Sequence, residues 1–128
     1  MIIIIIDIIL VLVIIGMFVY PRWNLRRNAK LVEEAEFARL MPTSQLIDIR
    51  EAKDFRIKHI LGARNLPARQ IDQSLNALSK HKPVLIYENG RPVGGAKVAK
   101  KLKKAGIPEV YILKSGLNSW NGKTKSGI

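Results

Sequence analysis

The sequence predicts an α/β fold with a mostly parallel central sheet flanked by helices, preceded by one transmembrane helix. Three observations carry this prediction. The first twenty residues are almost wholly apolar. Beyond them, short apolar runs alternate with segments of helical character, which is typical of a parallel sheet covered on both faces. About one hundred residues remain after the apolar segment, enough for one small domain.

Residues 2–20 predict the transmembrane helix. Asp7 is their one ionisable residue, and at about 1.5 Å per residue the helix spans close to the ~30 Å hydrocarbon core of a bilayer. The segment lacks the basic start and small-residue cleavage site of a signal peptide, and the polar face of a core helix. For Asp7, snorkelling to the outer interface is favoured over a proton-relay or helix-pairing role.

The residues that follow the span predict its orientation. Basic residues lie on this flank alone, at Arg22, Arg26, Arg27 and Lys30. The positive-inside rule therefore predicts a single-pass protein of the cell membrane, with its amino terminus outside and its carboxyl-terminal domain in the cytoplasm. Tyr20 and Trp23 suit the interfacial belt.

Short elements then alternate along the chain. Residues 24–41 have the spacing of an amphipathic helix, with its apolar residues at Leu31, Ala35, Phe37, Ala38 and Leu40. Strands are predicted at 45–49, 63–67, 83–87 and 109–113, and helices at 51–60, 73–80 and 94–106, with a closing helical turn at 115–122. The predicted organisation is a transmembrane helix at 2–20, a basic juxtamembrane and helical linker at 21–37, the α/β domain at 38–122 and a polar tail at 123–128.

The chain contains no cysteine, which excludes disulfides, zinc–thiolate sites and cysteine nucleophiles. Two histidines are present, and we interpret His59 as a structural contact and His81 as a turn residue. With no acidic cluster beside them, neither a metal site nor a cofactor is predicted.

Two predicted strands end in polar residues, and ligands in such sheets bind at the carboxyl ends of strands. LIDIR contains Asp48 and Arg50, and LIYENGRPVGG continues into a glycine-rich loop at Glu88. LIDIREAKDFRIKHILGARNLP resembles the opening signature of the rhodanese-like domain family, and VLIYENGRPVGGAKVAKKLKKAGIPEVYILKSGLNSW resembles its second half, ending in Gly116 and Trp120. The resemblance covers residues 34–122 and implies the family's small α/β fold, with Asp48 and Arg50 supporting the loop.

The chain departs from this family at the loop itself. The resemblance implies that active sulfurtransferases place a cysteine, which carries sulfur as a persulfide, where this chain has Glu88. A carboxylate cannot form a persulfide, so no catalytic residue is predicted. Pro92 also removes one backbone donor, and the spacing to the helix end at Ala105–Gly106 is one residue longer than the family pattern. The predicted active-site-like loop comprises Glu88, Asn89, Gly90, Arg91, Pro92, Val93 and Gly94.

Three roles for Glu88 remain open. Convergent N–H groups, together with Arg91, would hold its carboxylate ionised and leave the loop occupied by its own side chain. The loop would otherwise be solvated and without a ligand. A general-base role needs a partner acid and a substrate position, which the sequence does not reveal.

The net charge of +12 predicts a basic surface. Exposed lysines are expected on the helix after the loop, at Lys97, Lys100, Lys101, Lys103 and Lys104, opposite a buried stripe of Val98, Ala99, Leu102 and Ala105. In a membrane-anchored domain, anionic lipid is the favoured partner of this surface. The sequence has no nucleic-acid-binding motif, which disfavours nucleic acid.

These features predict a binding or scaffold module at the cytoplasmic face, without catalytic activity and with a protein partner that the sequence does not identify. A sulfurtransferase-related enzyme of unrecognised activity is the alternative. A third interpretation is a purely structural, lipid-facing domain.

Overall fold

The computed structural model begins with the helix that the apolar segment predicts. Helix α1 spans Ile2–Asn28, and its part from Ile2 to Val19 is long and apolar enough to cross a membrane, with a mean hydropathy of 3.4 and no burial against the rest of the chain. The structure describes residues 1–19 and 29–128 fully, and residues 20–28 only as helical backbone. The predicted interfacial residues Tyr20 and Trp23 therefore lie outside the described side chains, as do the basic residues Arg22, Arg26 and Arg27.

The remaining elements are short strands and helices, which alternate over most of the domain. The strands are β1 (Lys30–Val32), β2 (Gln45–Asp48), β3 (His59–Ile60), β4 (Arg64–Asn65), β5 (Val84–Tyr87), β6 (Val110–Leu113) and β7 (Thr124–Lys125). The helices are α2 (Glu34–Leu40), α3 (Ala52–Ile57), α4 (Ile71–Ser74) and α5 (Gly95–Lys104). Short 3₁₀ turns occupy Met41–Thr43, Ala68–Gln70, Leu75–Ala77 and Leu117–Ser119.

Five strands form one sheet in the order β1-β6-β5-β2-β4, and all its described pairings are parallel. The central strand β5 is wholly buried, as expected of a parallel strand covered on both faces. The predicted α/β fold class is confirmed. Because all five strands run the same way, their carboxyl ends share one edge of the sheet and their amino ends share the other.

The two faces of the sheet carry separate apolar cores. On one face, α5 buries Val98, Ala99 and Leu102 in a cluster that includes Ile47 and Ile86. On the other face, Phe37 of α2 packs with strand residues in a cluster of Leu46, Ile60, Leu85, Tyr87, Leu113 and Leu117. Burying an aliphatic or aromatic side chain of this size contributes about 1.5–3 kcal/mol, so the core holds the helices against the sheet.

The predicted amphipathic helix over 24–41 is wrong in its middle. Residues 30–32 form β1, an edge strand whose Leu31 pairs in register with Ile112. The helix that follows buries Phe37, whereas Ala35 and Ala38 are exposed. Pairing with β6 supplies backbone hydrogen bonds that the helical pattern of the sequence does not reveal. The predicted linker 21–37 therefore contains a strand of the domain.

The carboxyl-terminal residues 123–128 are also part of the fold rather than a tail outside it. Strand β7 pairs antiparallel with β3. The N–H of Leu61 donates to the carbonyl of Lys123 at 3.0 Å, and the N–H of Gly127 donates to that of Arg56 at 2.6 Å. The predicted helix over 51–60 correspondingly ends at Ile57, because His59 and Ile60 form this second, two-stranded sheet.

Candidate functional site

The candidate site lies at the carboxyl edge of the sheet, where β2 and β5 end side by side. Asp48 pairs in register with Tyr87, the last residue of β5. The chain leaves β5 at Glu88 and re-enters regular structure at Gly95, the first residue of α5. The two polar strand ends that the sequence predicts are therefore neighbours.

The carboxylate of Glu88 lies inside the loop, at the amino end of α5. The N–H of Gly94 donates to Glu88 Oε1 at 2.9 Å, and the N–H of Gly95 donates to Oε2 at 3.0 Å. Both oxygens thus accept backbone donors at the positive end of the helix dipole, which favours a negative charge there. This is the geometry of a loop occupied by its own side chain.

The two glycines allow this close approach. A Cβ atom on Gly95 would lie 3.2 Å from Glu88 Oε2 and 3.1 Å from Ile112 Cδ1, both tighter than ordinary van der Waals contact. On Gly94, a Cβ atom would lie 3.5 Å from Oε1. The pair of glycines therefore lets the carboxylate reach two consecutive N–H groups.

The turn after β6 fixes the start of the loop. The N–H of Leu117 donates to the carbonyl of Glu88 at 2.9 Å, and that of Asn118 donates to the carbonyl of Asn89 at 2.7 Å. Gly116 has a φ of +68°, and a Cβ atom there would lie 2.6 Å from the backbone of Gly90. Sequence reasoning missed this contact, for which the glycine at 116 is the only local signal.

Asp48 and Arg50 form a buried ion pair that reaches the loop. Arg50 Nη2 lies 2.8 Å from Asp48 Oδ2, with side-chain exposures of 7% and 0%. Arg50 Nη1 donates to Asn89 Oδ1 at 2.9 Å. Burial opposes the charged guanidinium, but the hydrogen bond and charge of Asp48 outweigh it and raise the pKa of Arg50. The pair thus links β2 to the loop in the supporting position implied by the resemblance.

Tyr87 is a second residue that sequence reasoning missed. Its side chain is fully buried, and its hydroxyl oxygen accepts the N–H of Ile60 at 3.0 Å. Burial, together with the negative charge of Asp48, raises the pKa of this phenol. The side chain holds β3 against the carboxyl end of β5, a contact between residues too far apart in sequence for a local pattern to indicate.

Arg91 and Val93 are the outward-facing residues in the middle of the loop. Arg91 is exposed, and among the residues whose side chains are described no ion pair joins it to Glu88. Of the two expected sources of stabilisation for the Glu88 carboxylate, the convergent N–H groups are present, whereas Arg91 forms no described ion pair with it. Val93 is 84% exposed, and Pro92 lies within the loop beside Gly95.

An open pocket of about 270 Å³ adjoins the loop on the side of Arg50. Asn89 and Asn118 contribute amide groups to it, Asp54 and Lys58 contribute charges, and Ile57 contributes an apolar side chain that is 72% exposed. The pocket therefore offers polar and apolar contacts next to the occupied loop.

Both histidines make local structural contacts. His59 is buried and stacks on Phe55 with ring centroids 3.7 Å apart, and its Nδ1 is 2.8 Å from the Phe55 carbonyl oxygen. His81 is exposed in the turn before β5. These positions agree with the structural interpretation given to each.

Two of the five lysines predicted to form the basic surface of α5 are bonded to other groups of the chain. Lys97, Lys100 and Lys104 are exposed, whereas Lys101 is half-buried and its Nζ lies 2.9 Å from Asp72 Oδ2. The Nζ of Lys103, also exposed, donates to the carbonyl of Pro108 at 2.8 Å. The expectation of five free lysines is thus wrong for Lys101, because α4 brings a carboxylate to it. Ala105, expected in the buried stripe, is half-buried.

Comparisons with known proteins agree with this geometry. Residues 33–123 match the family model described as rhodanese-like domain. The Bacillus subtilis (strain 168) protein YqhL is 38% identical over 126 residues, covering 98% of this chain and 96% of that protein. The thiosulfate sulfurtransferase GlpE of Tolumonas auensis is 29% identical over 91 residues, covering 70% of this chain and 83% of that protein. The crystal structure of the Alr3790 protein from Anabaena sp. matches with a TM-score of 0.66 at 26% identity, covering 76% of this chain and 93% of that chain.

Proposed function

This chain belongs to the rhodanese-like domain family, and we propose that it is a catalytically inactive binding or scaffold module. Helix α1 anchors it in the cell membrane as a single span with the amino terminus outside, and the α/β domain lies at the cytoplasmic face. The alternative is a sulfurtransferase-related enzyme with an unrecognised activity, which relatedness to a thiosulfate sulfurtransferase favours.

The position of the Glu88 carboxylate carries the proposal. The two oxygens of this side chain occupy the N–H groups of Gly94 and Gly95, so the donors that would receive an incoming anion are already engaged. The chain also has no thiol to carry sulfur through a covalent intermediate. Binding at the neighbouring pocket and at the domain surface needs neither group.

Sulfur transfer from thiosulfate or mercaptopyruvate tests the proposal directly. The full-length protein in detergent micelles is expected to give no turnover above background, because no side chain can form a persulfide. Glu88→Cys is also expected to give no substantial turnover, since Pro92 and the longer loop misplace the remaining donors. Robust turnover of the parent that survives repurification would favour the enzyme alternative. Activity in the cysteine variant would show that the donor arrangement is intact.

A phosphate titration followed by NMR tests the occupied loop. Glu88→Gln removes the internal anion, so the Gly94 and Gly95 amides are expected to shift with added phosphate in the variant and not in the parent. Glu109→Gln is the matched control, because it removes the same charge from an exposed position at the opposite edge of the sheet. Equal and negligible shifts in parent and Glu88→Gln would reject the occupied loop as an anion cradle.

A further inference from the structure

Five lysines lie at the edge of the sheet opposite the Glu88 loop, where the strands begin. They come from three separate segments of the chain: the start of β1, the turn before β5 and the end of α5. Helix α5 reaches this edge because it starts at the carboxyl end of β5 and must return to the amino end of the parallel strand β6. We call these residues the amino-edge surface: Lys30, Lys80, Lys82, Lys103 and Lys104.

Hydrogen bonds and packing join these segments. Gln45, the first residue of β2, donates from Nε2 to the carbonyls of Ser79 at 2.9 Å and Lys82 at 3.3 Å, which fixes the turn before β5 to the sheet. A Cβ atom on Gly106 would lie 3.5 Å from Cδ of Lys80, so this lysine lies beside the end of α5. The turn before β5 and the end of α5 therefore form one surface, and Lys30 lies at the same edge of the sheet, where β1 begins beside β6.

Few acidic groups oppose this surface. Glu109 is exposed at the same edge, where it accepts a hydrogen bond from the Tyr111 hydroxyl at 2.6 Å, and Asp72 is engaged by Lys101. All five lysines are exposed, and in the described part of the chain none of them forms an ion pair with a carboxylate. The amino-edge surface is therefore strongly positive.

The apolar helix arrives at this same edge. Helix α1 ends at Asn28, Ala29 is buried in the core cluster that also contains Val98 of α5, and Lys30 begins β1. One residue thus separates the helix from the sheet. The apolar window ends at Val19, and the nine residues from there to Asn28 extend the helix by about 14 Å. Because the headgroup layer is roughly 5–7 Å thick, the sheet edge lies within about one Debye length of it.

We infer that the amino-edge surface docks on the headgroups of anionic phospholipids and holds the domain with the Glu88 loop facing away from the membrane. The inference rests on the membrane anchorage in the proposed function. Each lysine near an anionic leaflet raises the equilibrium constant for docking by roughly fivefold. Several lysines acting together therefore outweigh the entropy that a singly tethered domain loses when it docks.

Single nitroxide labels on the cysteine-free chain test this orientation. His81→Cys places a label between Lys80 and Lys82, and Val93→Cys places one at the opposite edge of the sheet. The full-length protein is reconstituted into vesicles of phosphatidylcholine alone, or of phosphatidylcholine with phosphatidylglycerol, each containing a nickel-chelating lipid. We expect relaxation of the label at position 81 by the headgroup nickel to rise several-fold with phosphatidylglycerol and to fall back in high salt. The label at position 93 is expected to be unchanged.

Charge variants identify the residues responsible. Combining Lys80→Gln, Lys82→Gln, Lys103→Gln and Lys104→Gln should abolish the rise at position 81. The matched control removes the same charge at four exposed lysines elsewhere, as Lys53→Gln, Lys58→Gln, Lys123→Gln and Lys125→Gln, and should leave the rise in place.

Equal relaxation of the label at position 81 in the two kinds of vesicle would overturn the docking inference. So would an equal loss of the phosphatidylglycerol-dependent rise in the two sets of charge variants. Alkaline extraction of the same vesicles separates this failure from that of the proposed function. Protein that resists extraction but shows no dependence on phosphatidylglycerol is anchored without docking. Protein that is extracted by alkali is not anchored, which would overturn both proposals.

Discussion

The phenol of Tyr87 connects three parts of the domain that are distant in sequence. Its oxygen accepts the N–H of Ile60 in β3, while its ring lies in the core beneath the sheet and 5.9 Å from the guanidinium of Arg50. Because both the hydroxyl and its partner N–H are buried, loss of the oxygen leaves a donor without a partner. The stability of the carboxyl edge of the sheet therefore depends on Tyr87, which precedes Glu88 in sequence but has its side chain in the core.

Tyr87→Phe is expected to lower the free energy of unfolding by about 1–3 kcal/mol, the usual cost of an unsatisfied buried donor. Folding raises the pKa of Tyr87, so ionisation of this phenol opposes folding. The contribution of Tyr87 to the free energy of unfolding is therefore complete below pH ~10, the usual pKa of tyrosine, and is lost as the pH rises toward the pKa that the group has in the folded protein. The phenylalanine variant has no phenol to ionise, so its free energy of unfolding should fall less between pH 8 and 11 than that of the parent. Chemical denaturation of the full-length protein in micelles between pH 8 and 11 measures both effects.

Tyr111→Phe is the control for this measurement, because the hydroxyl of Tyr111 bonds to an exposed carboxylate that water can solvate. It is expected to cost much less at pH 8. Equal costs for the two variants would show that the buried hydrogen bond of Tyr87 contributes nothing specific.

The smallest elements hold the ends of the domain in place. Strands β3 and β7 have two residues each, yet their pairing and the flanking hydrogen bonds of Leu61 and Gly127 join the carboxyl terminus to α3 and its following strand. A two-stranded ribbon of this length is not stable alone. It persists because Ile60 is buried in the core and Tyr87 anchors its backbone.

Ending the chain after Gly122 should therefore destabilise this corner of the domain. We expect faster amide exchange at Leu61 and a loss of about 1–3 kcal/mol in the free energy of unfolding, since several buried or paired backbone groups lose their partners. Removing only Ile128, which is 91% exposed, is the control and should change neither quantity. Unchanged exchange at Leu61 in the longer truncation would mean that β7 is not paired in solution.

The whole molecule combines an apolar helix with a compact domain that begins almost immediately after it. Only Ala29 lies between α1 and β1, and it is itself buried. A domain joined to its helix by one residue lacks the wide reach of a domain on a long flexible linker. In the proposed membrane-anchored state, the orientation of α1 would therefore set the side of the membrane on which the domain lies.

A reporter fused after Ile128 tests that orientation. The basic residues that follow the span predict that the carboxyl terminus lies in the cytoplasm, so a reporter that functions only there should be active. A reporter that functions only outside the cytoplasm should be inactive in the same fusion. Activity of the second reporter would reverse the proposed topology and place the domain on the outer face.

The apolar helix, the alternation of strands and helices, the absence of a thiol and the position of the Glu88 loop can all be read from the sequence. Each depends on local composition or on the period of apolar residues, as in the run from Val84 to Tyr87 that forms the central strand. The family resemblance further located Asp48 and Arg50 beside the loop, where the structure has them.

Only the tertiary structure decided where Glu88 points and which segments complete the sheets. β1 and β7 are three and two residues long, too short for a periodic pattern, and they form because partner strands supply their hydrogen bonds. For Glu88, the sequence left three roles open, and the fold decided among them by placing the N–H groups of Gly94 and Gly95, without Arg91, at the carboxylate. Every residue other than proline carries the same backbone N–H and carbonyl groups, so the sequence does not show which of them a strand or a side chain will meet, and the folded chain does.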